Sequence, residues 1–170
     1  MFIAHLPAGY LMARVLSGRQ LTKNISTRVL LMMSMSGAIA PDMDLFYFFL
    51  IDHRRHNHHD YFTHYPLSWA LLWSVAWLFW RLFHKNTFLL LAIFSAGGML
   101  HVLLDSVVGG IAWLAPWSRE KFYLWQVPAR FQSWWLNFIL HPSFLLELLM
   151  TATAAAVAGQ QYRVRRLSVR

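Results

Sequence analysis

Residues 88–108 read FLLLAIFSAGGMLHVLLDSVV, an apolar run that carries His101 and Asp105 in its second half. An apolar run of about 20 residues is long enough to cross a bilayer as one helix. The spacing of four residues puts the imidazole and the carboxylate on one helical face, where they can bind one metal ion or two neighbouring ions. Ionisable side chains inside an apolar segment are candidates for function. The alternative is a hydrogen-bonded His–Asp pair that only fixes helix packing.

The composition of the whole chain is typical of a membrane protein. Of its 170 residues 58% are hydrophobic and only 13% are charged, and it contains nine Trp and thirteen Phe. A water-soluble surface is hard to make from such a chain. We therefore predict one all-α domain over residues 1–170, a small polytopic membrane bundle of four to five helices. No cysteine is present, so any metal must be bound by nitrogen and oxygen.

The apolar runs and their breakers divide the chain into helical segments. We predict helices at residues 2–15, 29–51, 66–83, 88–108 and 134–158, followed by a basic tail at about 160–170. Gly37 and Pro41 interrupt the second segment, while Thr63 and Pro66 form a start signal for the third. The third segment also carries an aromatic stripe, which we interpret as packing or interfacial anchoring: Trp69, Trp73, Trp77 and Trp80.

An alternating up-and-down path through these segments gathers the polar residues at one end of the bundle. The start of the first helix, the later part of the second, the start of the third and the later part of the fourth would meet there. The candidate metal ligands at these positions are His5, Asp42, Asp44, His59, His64, His101 and Asp105. Imidazole nitrogen and carboxylate oxygen are ligands of divalent cations. We predict one or two ions, with Zn²⁺ expected and Mn²⁺, Fe²⁺ or Mg²⁺ as alternatives.

The sequence predicts Asp42 and Asp44 jointly and does not rank them. A spacing of two residues points Asp42 and Asp44 to roughly opposite faces of a regular helix, although Pro41 can break that regularity. Both could reach the site, or one could bind metal while the other caps a helix or holds a ligand histidine. The candidates for catalytic proton transfer are Asp42, Asp44 and His64. Three nearby histidines are interpreted instead as a solvated basic loop: His53, His56 and His58.

Two further residues are ambiguous in the sequence alone. His5 lies in an apolar segment, where a lone histidine is equally well explained as a core residue or as a ligand. Glu147, expected near the middle of the fifth helix, could pair with a histidine, transfer a proton or serve packing.

The distribution of basic residues orients the bundle. Ten of the fifteen Lys and Arg residues fall at the end opposite the candidate site, which by the positive-inside tendency faces the cytoplasm together with the C-terminus. The site would then open toward the periplasmic side. Because the basic residues flank apolar runs, membrane lipids are the expected partners and nucleic acid is disfavoured. Four cations at the site end are candidates for holding an anionic head group: Arg54, Arg55, Arg119 and Lys121.

The order of these motifs resembles a known family. His5, Pro41-Asp42-x-Asp44, His59-Asp-Tyr-Phe-Thr63-His64 and His101-x-x-x-Asp105, followed by Gly110, Trp113-x-x-Pro116 and Phe122, are similar to the YdjM inner-membrane proteins. The resemblance covers about residues 1–125 and implies a metal-dependent hydrolase. Asp60, Tyr61 and Tyr65 depart from the Arg, Gly and Ser usual at the third motif, which bears on substrate recognition. The motif order is also distantly similar to zinc-dependent phospholipase C and related nucleases, which implies phosphoester chemistry.

These observations predict a membrane-embedded hydrolase that uses metal-activated water to cleave a phosphoester or ester in a lipid or amphiphile. A non-enzymatic metal-binding or transport protein would use the same ligands, but it should have a continuous polar route through the bundle. A structural membrane protein with satisfied polar clusters is a third interpretation.

Overall fold

The computed structural model describes Met1 and residues 3–168, and this part of the chain is all-α as predicted. It contains seven α-helices, which corrects the expected four to five. The helices are α1 His5–Leu16, α2 Thr27–Ile39, α3 Asp44–Leu50, α4 Pro66–Phe83, α5 Asn86–Asp105, α6 Trp134–Ile139 and α7 Phe144–Ser168. The irregular segment between α5 and α6 carries a single antiparallel bridge, between Ile111 and Phe122.

The additional helices arise because two predicted helices are broken. The predicted helix 29–51 divides into α2 and α3, which are joined by the 3₁₀ helix Pro41–Met43 and bent by 56°. Pro41 has no backbone N–H to donate, so the regular ladder is interrupted at this residue. The predicted helix 134–158 divides into α6 and α7 around Pro142 for the same reason.

Because of the second break, Glu147 and the basic tail have different positions from those predicted for the last helix. Glu147 lies in the first turn of α7 rather than near the middle of a helix. The predicted basic tail is helical as far as Ser168, because α7 extends beyond the predicted end at residue 158. Residue 2 of the first predicted segment and residues 169–170 of the tail lie outside the described part of the chain.

Helix α4 has the bounds that the sequence predicts, but it begins differently. Tyr65 is the N-cap residue, and its side chain makes no capping hydrogen bond. Thr63, the predicted cap, instead donates its hydroxyl hydrogen to Asp44 Oδ2. The aromatic stripe packs along the helix as expected: the Trp73 and Trp77 rings stack with centroids 5.4 Å apart.

Small residues bring α1, α2 and α5 close together. A Cβ atom on Gly97 would lie 2.8 Å from both Ser34 O and Ala38 N, and one on Gly9 would also lie 2.8 Å from Ser34 O. Glycine at these contacts lets the helix backbones approach, as in many membrane helix pairs. The same packing places the C-terminal part of α5 beside the C-terminal end of α2, where the polar motifs meet.

The alternating path is visible in the apolar core. One buried cluster joins the later part of α1 to the early parts of α2 and α5, through Ala13, Leu30 and Leu89. A second cluster, at the other end, joins Trp69 at the start of α4 to Val102 near the end of α5. The two clusters therefore mark the two ends of the bundle.

By length and composition, one helix of the described chain qualifies as a membrane span. This helix is α5, with a mean hydropathy of 2.1 over its most apolar window. The bent pair formed by α2 and α3 qualifies as a second span when it is taken as one broken helix. The fold thus offers one or two candidate spans, with the polar residues of α5 at its C-terminal end.

Candidate metal centre

Asp105 is the middle of the polar cluster. Its side chain is 2% exposed, and its carboxylate oxygens lie 3.0 to 3.7 Å from ring nitrogens of four histidines. Those histidines are His5, His59, His64 and His101. Asp42 and Asp44 join the same cluster through His64. The structure therefore brings together all seven residues that the sequence singles out.

Four atoms of this cluster have nitrogen-to-oxygen spacings that suit the ligands of one ion. His64 Nε2 lies 3.7 Å from both Asp42 Oδ1 and Asp105 Oδ2. His101 Nε2 lies 3.5 Å from Asp42 Oδ1 and 3.0 Å from Asp105 Oδ2. Ligands bound at 2.0–2.2 Å around a tetrahedral zinc ion are about 3.3–3.6 Å apart. We call these four side chains the donor set.

Hydrogen bonds turn the donor nitrogens of the set inward. His101 Nδ1 donates to the carbonyl of Ala38 at 2.8 Å, and His64 Nδ1 donates to Asp44 Oδ2 at 2.8 Å. In the neutral tautomer with its proton on Nδ1, each ring offers its Nε2 lone pair to a cation. Partners of this kind orient the ligand histidines of metal sites.

The two ring nitrogens of the donor set lack hydrogen-bond partners within the described residues. His64 Nε2 and His101 Nε2 are buried and have no hydrogen-bond partner in the described structure. They face carboxylate oxygens, which are themselves acceptors, and buried acceptors that face one another are unfavourable without a proton or a cation between them. The chemistry of the set therefore fits a divalent ion.

The two aspartates occupy different positions. Asp42 contributes Oδ1 to the donor set, and its side chain is 34% exposed, so this ligand lies at the accessible side. Asp44 is buried and holds His64 and Thr63 through Oδ2, while its Oδ1 has no hydrogen-bond partner. Of the alternatives that the sequence left open, the structure has the second: Asp42 faces the centre, and Asp44 holds His64 from the side away from the centre.

His5 and His59 approach Asp105 outside the donor set. His5 Nε2 lies 3.2 Å from Asp105 Oδ1, and its ring stacks on His101 with centroids 3.7 Å apart. The Met1 ammonium also contacts Asp105 Oδ1. His59 Nε2 lies 3.4 Å from Asp105 Oδ2, and its Nδ1 contacts the carbonyl of Gly109. These residues add donors for a second ion, so the number of ions remains a prediction.

Burial and charge act oppositely on two histidines of the connecting segment. Burial lowers the pKa of His59 to about 3, which leaves its ring neutral at physiological pH. Burial also disfavours charge on His64, but the nearby carboxylates of Asp42 and Asp44 outweigh it and raise the pKa of His64 to about 9. The carboxylates around His64 thus favour positive charge at the position where an ion would bind.

Sequence reasoning missed two residues of this region. His58 was assigned to a solvated loop, yet its Nδ1 lies 3.8 Å from Asp44 Oδ1, and it forms a possible ligand group with His59 and His64. Its adjacency to His59 in the 3₁₀ helix His58–Asp60 was the available signal. Thr63 was expected as a cap and instead holds Asp44. The other loop histidines, His53 and His56, are exposed as predicted.

Glu147 reaches the region from α7. It is 2% exposed and accepts a hydrogen bond from the backbone N–H of Ile3, just before α1. This contact ties the start of α7 to the start of α1, beside His5.

Comparison with known proteins identifies the family of the chain. A family model described as YdjM inner membrane protein matches residues 1–165, so the chain belongs to this family. Comparison with curated proteins and with solved structures gives no significant match. The family match agrees with the resemblance of the motifs and extends it beyond residue 125 to most of α7.

Proposed function

We propose that this YdjM family member is a membrane-embedded, metal-dependent hydrolase whose substrate is a phosphoester or another ester in a lipid or amphiphile. The donor set carries the proposal: two imidazole nitrogens lie 3.0 to 3.7 Å from two carboxylate oxygens, and the outer nitrogen of each ring is held by a neighbour. Zn²⁺ suits this nitrogen and oxygen set, and Mn²⁺ is the main alternative.

The proposed reaction consumes one water molecule. The water oxygen forms a bond to the phosphorus or acyl carbon, and the bond from that atom to the ester oxygen breaks. One water proton ends on the departing alcohol and the other passes to a base or to solvent. A divalent ion in the donor set would supply Lewis-acid polarisation of the scissile group and would acidify water.

Asp42 and Asp44 have different roles in the proposed reaction. Asp42 is the partly exposed carboxylate of the donor set and therefore stands where substrate and water arrive. Asp44 positions the His64 ring through Nδ1 and keeps Nε2 directed at the centre. Asp44 Oδ1 has no hydrogen-bond partner in the described structure, which makes this buried oxygen the candidate proton acceptor.

The test measures metal and turnover on the same samples. Protein purified in detergent is analysed for metal and assayed on phosphodiester, phosphomonoester and carboxylic ester substrates, before and after treatment with a chelator. We expect turnover to disappear with the metal and to return with Zn²⁺ or Mn²⁺. If metal stays bound while no substrate turns over, the hydrolase assignment is wrong and a metal-binding or transport role replaces it. Absence of bound metal in the native protein would leave only the structural interpretation.

We also propose that the centre faces the periplasmic side and the C-terminus the cytoplasm, because the opposite end holds most of the basic residues. The chain has no cysteine, so single cysteines at the exposed positions Arg55, Asn86 and Gln160 can be labelled without background. An impermeant reagent added to intact cells should label position 55 and neither of the others. Labelling at position 160 alone would reverse the orientation.

A further inference from the structure

A cavity lined by charged and apolar side chains lies next to Asp44. It has a volume of about 650 Å³, within the range of small-molecule sites. Asp44 and Thr63 line it and are hydrogen-bonded to each other, and Asp44 also holds His64 of the donor set. Arg119 lines the same cavity and comes from the irregular segment after α5. The cavity therefore holds a cation on the side of Asp44 that adjoins the candidate centre.

The structure distinguishes between the four candidate head-group cations, which the sequence does not rank. Lys121 Nζ lies 2.7 Å from Asp60 Oδ1, so its charge is already paired. The Arg54 guanidinium lies over the Phe49 ring at 4.8 Å. Arg55 is exposed and does not line the cavity. Among these four, Arg119 alone lines the cavity, and it makes no ion pair within the described residues.

The acidic residues of the cavity do not neutralise Arg119. Asp52 accepts hydrogen bonds from the His56 ring at 2.8 Å and from its backbone N–H at 2.9 Å. Asp60 is paired with Lys121, and Asp44 is held by Thr63 and His64. Each of these carboxylates thus has a hydrogen-bond or ion-pair partner other than Arg119. Arg119 remains available to an anion that enters the cavity.

We propose that this cavity binds the anionic group of a phosphoester substrate, with Arg119 as the residue that recognises it. The planar guanidinium donates two parallel hydrogen bonds that match two phosphate oxygens. A neutral carboxylic ester has no anionic oxygens and therefore binds arginine less strongly. The inference rests on the proposed function and narrows its substrate to phosphoesters.

The rim of the cavity adds an apolar element. Met43 and Phe62 line it and are 58% and 71% exposed. An amphiphile could place its phosphate against Arg119 and its apolar part against these two side chains. A phosphoester attached to an acyl or alkyl chain therefore fits better than a small polar phosphoester.

The first arm of the test measures binding without turnover. Metal-loaded protein in detergent is titrated calorimetrically with inorganic phosphate, using the wild type, Arg119→Ala, Arg119→Lys and the control Arg55→Ala. We expect Arg119→Ala to weaken binding at least about tenfold and Arg119→Lys to recover part of it, since a hydrogen bond to a charged group is lost in the first and partly kept in the second. The control should bind as the wild type does.

The second arm measures kinetics on three substrates: a soluble phosphodiester, the same phosphodiester carrying an alkyl chain, and a neutral carboxylic ester. Arg119→Ala should raise KM about tenfold or more for both phosphodiesters and leave KM for the neutral ester unchanged. Phe62→Ser should raise KM for the alkyl phosphodiester only. Equal KM values for Arg119→Ala and the control Arg55→Ala on all substrates would overturn the inference while leaving the hydrolase intact.

The two proposals fail in different ways. If phosphate binding depends on Arg119 but no substrate is hydrolysed, the cavity is an anion site and the hydrolase assignment is wrong. If hydrolysis depends on metal but phosphate binding is the same in all four proteins, the hydrolase stands and Arg119 does not recognise the anion.

Discussion

Two His–Asp pairs that are in contact in the described structure have the same spacing of four residues, and their surroundings make them different. His56 and Asp52 form a closed pair after α3: the ring and the backbone N–H of His56 both donate to the carboxylate, and the His56 side chain is 67% exposed. His101 and Asp105 are 0% and 2% exposed, and His101 Nε2 has no hydrogen-bond partner. We call them the loop pair and the α5 pair.

The protonation of the loop pair follows from its closed geometry. Burial alone would raise the pKa of Asp52, but the hydrogen bonds from His56 outweigh it and lower the pKa to about 2. This contact uses Nδ1 of His56. In the α5 pair the Ala38 carbonyl accepts a hydrogen bond from Nδ1–H of His101, and Nε2 faces oxygens of Asp42 and Asp105. The two pairs therefore differ in the carboxylates that surround the second ring nitrogen.

The largest expected effect is on Zn²⁺ affinity, and it distinguishes the α5 pair from the loop pair. His101→Ala and Asp105→Ala should each lower Zn²⁺ affinity by more than about 100-fold, because a ligand is worth more than the partners behind it, which contribute 10–100-fold. His56→Ala and Asp52→Ala should leave the metal content unchanged. Metal analysis and competition with a chromophoric chelator measure both. Equal metal content in all four variants would mean that the α5 pair is a packing contact like the loop pair.

The next largest effect is expected at Asp44, which holds the proposed ligand His64. Asp44→Asn should lower Zn²⁺ affinity about 10–100-fold, since the His64 ring loses its charged partner while the donor set keeps its atoms. Asp42→Ala removes a donor atom and should have the larger effect. The two affinities are compared in one titration series. A larger loss in Asp44→Asn than in Asp42→Ala would exchange the roles that the geometry assigns.

The pH dependence of metal binding should follow His64. Its pKa of about 9 means that the ring is protonated at pH 7, so an ion must displace one proton to bind Nε2. Zn²⁺ affinity should therefore rise about tenfold per pH unit from pH 7 to about pH 9 and then level off. The slope should flatten in Asp44→Asn, where a hydrogen bond that raises this pKa is weakened. A wild-type affinity independent of pH over this range would exclude His64 as a ligand.

The smallest effect concerns the position of His59 beside the donor set. A Cβ atom on Gly109 would lie 2.5 Å from His59 Cε1, so Gly109→Ala should shift this ring. Since His59 is outside the donor set, we expect a loss of Zn²⁺ affinity of less than about tenfold. Gly159→Ala is the control, because its Cβ would meet nothing within 4 Å. A loss as large as that of His101→Ala would make His59 a ligand of the same ion.

The sequence predicted the grouping of the site well because the grouping depends on periodicity and path. Five apolar runs alternating in direction place His5, Asp42, His64 and Asp105 at one end, whatever the details of packing. The bounds of α4 were likewise predictable, since Pro66 fixes its first turn and the apolar run ends at Phe83. The helix breaks were less predictable. Pro41 and Pro142 can be read from the sequence, but the angle by which the chain bends at each proline depends on the neighbouring segments.

What the sequence determined by itself is the chemistry available: an all-α chain with no thiol, whose imidazoles and carboxylates fall within or beside apolar segments. Tertiary structure alone decided which of those groups face one another. His58 and Thr63 entered the region, Asp44 moved behind His64, and Arg119 was singled out from four similar cations. The reason is physical: spacing along a chain fixes the direction of a side chain, whereas its partner is fixed by contacts between segments that are far apart in the sequence.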